Sequence, residues 1–196
     1  LRKLCSSRGD VRILAGKYKG KSLKTFSNPH IRPTSGLVKE AFFSICREDI
    51  EGAAFLDLFA GMGAIGFEAL SRGAASVVFV DISIKAIQLI HTNSALLGEQ
   101  LPVVIFRQDA QSAIQRLIKQ KRSFDLIYID PPYELCNCYV ETLLQKIVSG
   151  NILNPEGTLF LENASDEEIA CEGLTLRRRR KLGKTYLAEY IVEKDP

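Results

Sequence analysis

The sequence predicts an α/β fold, a mostly parallel sheet wound with helices on both faces. Three observations carry that expectation. From residue 53 onwards, short aliphatic runs alternate with helical patterns. A turn holding Gly61, Gly63 and Gly66 joins the first run to the first helix, in the GxGxxG spacing. Four of the runs end on or near an aspartate, Asp57, Asp81, Asp109 and Asp130, and ligands of open α/β sheets sit at the carboxyl ends of strands.

In 196 residues, 46% hydrophobic and 25% charged side chains describe a globular chain, long enough for one domain with a substantial core and a small appendage. No apolar run approaches the roughly 18 residues of a membrane helix, and Arg2, Lys3 and Arg8 are not followed by the apolar stretch of a signal peptide. A cytoplasmic, monomeric enzyme with no membrane partner is expected. Cys5, Cys46, Cys136, Cys138 and Cys171 lack the paired spacing of a zinc site, so reduced thiols and no metal are expected. The net charge of +3 is concentrated at the front: residues 1–32 hold nine basic side chains against Asp10 alone, which favours a polyanionic partner.

Taken in order, residues 1–31 read as a basic arm and 32–196 as the main domain. Two strand-like pieces, 11–15 and 18–26, flank Gly16 and predict a short hairpin. Its Arg12, Lys17, Tyr18, Lys19 and Lys21 suit phosphate contact and base stacking, although the same charges would serve a solvated strand edge. Arg32-Pro33-Thr34-Ser35 leads into a helix in which Leu37, Val38, Ala41, Phe42 and Ile45 recur at helical spacing, with Thr34 or Ser35 as N-cap. Strands are expected at 53–60, 76–81, 102–109, 124–130 and 157–162, and helices at 64–72, 83–97, 110–121 and 139–149. Residues 174–181 and 185–193, around Gly183-Lys184, complete seven strands with an antiparallel C-terminal hairpin. Arg177, Arg178, Arg179, Arg180, Lys181 and Lys184 form a second candidate RNA patch, although four consecutive arginines on one strand cannot all face water.

The glycine turn points to a nucleoside cofactor. Gly61, Gly63 and Gly66 let backbone approach a ligand, and Asp81, roughly 20 residues on, can accept hydrogen bonds from ribose hydroxyls. Asp57 discriminates between cofactors. A carboxylate just before the glycines repels the pyrophosphate of NAD but attracts the ammonium and sulfonium of S-adenosylmethionine. Asp109 can accept from the adenine amino group or fix the loop that does so.

Asp130-Pro131-Pro132-Tyr133 carries the chemistry. Pro131 biases Asp130 towards extended geometry and Pro132 fixes the next φ angle, so the turn is stiff. The Asp130 carboxylate and the Pro131 carbonyl can accept both hydrogens of a planar exocyclic amine while the Tyr133 ring stacks on the attached base. That arrangement suits amino-group methylation, with Asp130 stabilising the positive charge that develops on nitrogen and Asp130 or water taking the proton.

These segments resemble the RsmD family of bacterial 16S ribosomal RNA guanine-N2 methyltransferases. The resemblance rests on residues 12–20, on Arg32-Pro33-Thr34, on 56–61 and 68–73, and on Asp130-Pro131-Pro132-Tyr133. It implies a class I, Rossmann-like, S-adenosylmethionine-dependent fold. By the same resemblance, Asp57, Gly61, Gly63, Asp81 and Asp109 surround the cofactor, Arg32 and Thr34 border the pocket, and residues 130–133 surround a guanine amine. The implied partner is 16S ribosomal RNA or an assembling small ribosomal subunit. One departure is Gly36-Leu37, where relatives often carry a polar or charged pair. Two rivals remain open: a DNA adenine-N6 methyltransferase, which shares the tetrapeptide, and an RNA-binding module without catalysis. An NAD oxidoreductase is the weakest alternative.

Overall fold

A computed structural model describes residues 11–26, 36–98, 100–132 and 134–193. At its front β1 (Val11–Arg12) pairs antiparallel with β2 (Ser22–Leu23). Both are shorter than expected, because Gly16 and Gly20 take positive φ and the chain between the strands turns instead of extending. Helix α1 (Gly36–Ile45) buries Val38, Phe42 and Phe43 along one side. Arg32, Thr34 and the expected N-cap lie outside the described residues.

The alternation then runs β3 (Ala54–Leu58), α2 (Ala64–Ser71), β4 (Ser76–Asp81), α3 (Ile84–Leu97), β5 (Val103–Arg107), α4 (Ala110–Lys119), β6 (Phe124–Ile129), α5 (Asn137–Ser149) and β7 (Leu153–Asn163). A hairpin of β8 (Leu174–Leu182) and β9 (Thr185–Val192) closes the chain. These form one seven-stranded sheet in the order β5-β4-β3-β6-β7-β9-β8. The links from β5 to β7 are parallel and the two involving β9 are antiparallel. The central strands read as largely apolar runs because both faces are covered. On one face Phe42 meets Phe43, Phe55, Tyr128 and Phe160 edge-on, at centroid distances of 4.6 to 6.1 Å. On the other, Leu56 and Ile127 of the sheet share an apolar cluster with Ile114 and Leu117 of α4 and Leu143 and Ile147 of α5. No helix among the described residues is long and apolar enough to cross a membrane.

The arm is fastened to this core. Ile13 and Leu23 are buried in the same apolar cluster as Phe42. Between them the chain lies on the end of α2, where Glu68, 0% exposed, accepts from the backbone N–H groups of Leu14 (2.8 Å) and Ala15 (3.0 Å). Lys39 Nζ at 3.1 Å and Arg72 Nε at 2.9 Å neutralise it, and Lys39 also donates to the Arg12 carbonyl at 2.7 Å. The Ser71 hydroxyl accepts from Tyr18 N–H at 2.9 Å and donates to the Ala15 carbonyl at 2.5 Å. Gly16 makes this contact possible, since a Cβ there would stand 1.7 Å from the Ser71 carbonyl oxygen.

At the opposite edge, β8 exposes Arg177, Arg178 and Arg180, while Arg179 is half-buried with its guanidinium 5.2 Å from the Tyr186 ring centroid. A register shift between Leu176 and Arg178 breaks the in-out alternation there. Arg177 pairs with the buried Glu189 at 3.3 Å.

Candidate active site

The strand order reverses between β3 and β6, which opens a crevice at their carboxyl ends. Asp57 is registered with Phe79 of β4 and Tyr128 of β6, so all three side chains share a face. The carboxylate is 2% exposed, and its Oδ2 accepts from Gly66 N–H at 2.9 Å. Burial, followed by the neighbouring charges of Asp130 and Asp81, pushes its pKa up to about 8. Among the described residues no lysine or arginine pairs with it.

Beyond β3 the chain turns through three residues with positive φ, Phe59 (62°), Gly61 (56°) and Gly63 (82°). The three motif glycines have different surroundings. A Cβ at Gly61 would meet nothing within 4 Å, so this position is the open one. Gly63 faces Phe67, and Gly66 faces Phe79, where a Cβ would stand 2.2 Å from the ring. Gly66 therefore permits α2 to lie close on β4, while its N–H donates to Asp57. Asp81 holds the turn from the next strand: its Oδ2 accepts from Gly61 N–H and its Oδ1 from Ser83 N–H, each at 2.8 Å. Burial, as the leading cause, raises its pKa. Ile82 beside it is largely exposed.

Asp109 caps α4, accepting from Ser112 N–H at 3.0 Å. Hydrogen bonds from the Ser112 side chain and backbone lower its pKa. It fixes the loop after β5, where the buried Gln108 Oε1 has no hydrogen-bond partner among the described residues. Asp130 continues β6, its N–H 3.5 Å from the Leu58 carbonyl, and is half-buried. Pro131 and Pro132 follow, the turn closing with Leu135 N–H donating to the Pro132 carbonyl at 3.0 Å. Tyr133 lies outside the described residues. The two prolines, with Val140, Leu161, Glu162 and Asn163, line a cavity of about 210 Å³.

Three features of the site escape sequence reasoning. Glu162 ends β7 beside this cavity, and Tyr128 OH donates to its Oε2 at 2.8 Å. The available signal was the acid at the end of the fifth aliphatic run, after four runs with aspartates. Asn93 of α3 donates to the Met62 carbonyl in the glycine turn at 3.0 Å, while it accepts from Lys24 N–H of the arm at 2.7 Å. A single Asn on a helix carries no such signal. The third feature is a correction: Cys136 and Cys138, expected as reduced thiols, form a disulfide, with Cα atoms 5.3 Å apart. The extended backbone of Cys136 at the start of α5 brings the two sulfurs together across Asn137. Among the described cysteines, Cys46 and Cys171 are free.

The arm presents its polar side outward. Arg12, Lys17, Lys19 and Lys21 are exposed, and Tyr18 is half-buried with Lys17 Nζ 5.3 Å and Lys21 Nζ 5.6 Å from its ring centroid.

Comparison with known proteins agrees with this geometry. The chain is 34% identical over 182 residues to YlbH of Bacillus subtilis, described as a candidate rRNA methyltransferase, covering 92% of this chain and 98% of that protein. It is 31% identical over 185 residues to ribosomal RNA small subunit methyltransferase D of Haemophilus influenzae, covering 91% and 92%. The solved structure of a hypothetical protein from Thermus thermophilus superposes with a TM-score of 0.79 at 26% identity, over 92% of this chain and 99% of that one. A family model described as conserved hypothetical protein 95 matches residues 11–191. The chain therefore belongs to the RsmD family that this model describes, and its sheet is that of the S-adenosylmethionine-dependent methyltransferases.

Proposed function

We propose that this protein transfers a methyl group from S-adenosylmethionine to the exocyclic N2 amine of a guanine in small-subunit ribosomal RNA. The observation that carries this reading is Asp57, a carboxylate sealed beside the glycine turn with no cationic partner among the described residues and a pKa of about 8. Such a group is stabilised by a ligand that brings positive charge. The relatives add the polymer class, since one is named a small-subunit rRNA methyltransferase.

The donor set fits the cofactor. Asp57 holds the ammonium and Asp81 the ribose hydroxyls, Gly61 leaves room for close approach, and Ile82 offers an apolar surface to the adenine face. Gln108, whose buried Oε1 has no partner among the described residues, and Asp109 beside it supply acceptors for the adenine amine. When bound, S-adenosylmethionine supplies an electrophilic methyl group on a sulfonium centre. The chain itself positions the other reactant. Asp130 and the Pro131 carbonyl accept the two amine hydrogens, which directs the nitrogen lone pair away from them. Forming the N–C bond would break the methyl–sulfur bond and leave a neutral thioether; the Asp130 carboxylate would stabilise the charge that passes to the amine, and the proton would leave to Asp130 or to water. The exposed lysines of the arm hold the RNA backbone.

Incubation with methyl-labelled cofactor and, separately, naked 16S rRNA, assembled small subunits and DNA tests the reading. Label recovered as N2-methylguanosine from ribosomal RNA is the expected result. Recovery as N6-methyladenine from DNA would replace it with the adenine-specific reading.

A further inference from the structure

The proposed chemistry leaves one strand-end acid unused. Glu162 follows Leu161, which is registered with Ile129, so one residue further along the parallel pair it stands beside Asp130. The register of Tyr128 with both Phe160 and Asp57 puts Glu162, Asp130 and Asp57 on one face of the sheet. All three lie within electrostatic reach of the Tyr128 phenol. Glu162 is 8% exposed and lines the cavity behind Pro131 and Pro132. Tyr128 OH fixes Oε2, so the carboxylate is held by a rigid core residue and not by a mobile loop.

A purine whose amine is held at Asp130 shows its neighbouring ring nitrogen to the next strand. In guanine that nitrogen is N1–H, a donor; in adenine it is an unprotonated N1, an acceptor. A carboxylate at this point accepts from the first and repels the second. We infer that Glu162 reads the N1–H of the target guanine and is the residue that makes the site specific for guanine. This rests on the guanine chemistry proposed above and deepens it. Burial raises the Glu162 pKa, and a bound N1–H donor favours the ionised form that accepts from it.

The test uses a synthetic ribosomal RNA fragment carrying either guanine or 2-aminopurine at the position that the wild-type protein methylates. 2-Aminopurine keeps the exocyclic amine but lacks both N1–H and O6. Wild-type kcat/KM is expected to favour guanine by about 10- to 100-fold. Glu162→Gln should lower kcat/KM on guanine about tenfold while leaving 2-aminopurine within about twofold, so that the preference shrinks. An unchanged preference in a folded Glu162→Gln protein would overturn the inference. So would a wild-type protein that methylates both bases equally, a result that needs no variant. Failure of the wild-type protein to methylate guanine in any RNA is a separate outcome, which removes the guanine reading and this inference with it.

Discussion

Glu68 and Asp57 are both carboxylates shut away from water, 0% and 2% exposed, yet the chain treats them differently. Glu68 is surrounded by protein: Lys39 and Arg72 neutralise it and two arm N–H groups donate to it. Among the described residues, Asp57 has a single backbone donor, Gly66 N–H, and two further acids for neighbours. A buried acid with its cations built in is a fastener. A buried acid without them keeps its proton up to about pH 8 unless something cationic arrives, and such a group points to a binding site more clearly than the glycines do.

The contrast is broken most directly at Glu68. Glu68→Ala leaves the Lys39 ammonium buried without its counter-charge and frees two backbone donors, and unfolding in urea should show a loss of about 3–5 kcal/mol. The segment joining β1 to β2 should also become sensitive to limited proteolysis. Asp130→Ala should do the reverse: turnover falls about 10²- to 10³-fold, while the melting temperature and cofactor affinity stay near wild type. A variant at position 130 that turns over normally would remove the amine-holding role.

Asp57→Asn sharpens the comparison because its effect on the ligand-free protein has the opposite sign from that of Glu68→Ala. With the folded pKa raised to about 8 from a usual carboxylate value of 3.8, the folded state binds more protons than the unfolded state between those values. Stability of the ligand-free protein therefore falls as pH rises from about 4 to about 8. Asparagine keeps an acceptor for Gly66 N–H without the charge. It should flatten that pH dependence and stabilise the ligand-free protein by on the order of 1–2 kcal/mol at pH 8.5. Calorimetry should show the cost: wild-type affinity for S-adenosylmethionine strengthens as pH rises through about 8, and in the variant both the affinity and its pH dependence are lost. A variant that melts earlier than wild type at pH 8.5 would mean that Asp57 is a fastener after all.

Much of the sheet is visible in the chain because fully covered strands have to be largely apolar, as in residues 77–80 and 126–129. The aspartates near strand ends announce the crevice for the same reason, since charge in an otherwise apolar run stands out against it. The contacts that hold the crevice together are less visible. Residues 12–20 and 68–73 each stand out as motifs, but nothing local shows that they meet, because Glu68 reaches Leu14 across 54 positions. Asn93 is hidden for the same reason. Glu162 is hidden because a glutamate after an apolar run reads as an ordinary strand end until the register places it beside Asp130. The Cys136 and Cys138 pairing depends on backbone direction at the start of α5, which the two-residue spacing alone does not fix.

The smallest expected effect concerns the arm, and it separates anchoring from recognition within a single element. The arm is held by Ser71, Glu68 and Asn93 through backbone groups of residues 14–18 and 24, so the exposed ammonium groups of Lys17 and Lys19 are not needed for its position. Replacing both by Ala should leave the melting temperature and cofactor affinity unchanged. If these lysines contact phosphates, the slope of log affinity against log salt for ribosomal RNA should fall by about 0.7–0.9 per lost contact. An unaltered slope would identify the two charges as a solvated edge that discourages strand pairing, and the RNA path would then have to be sought along Arg178, Arg180 and Lys181 of β8.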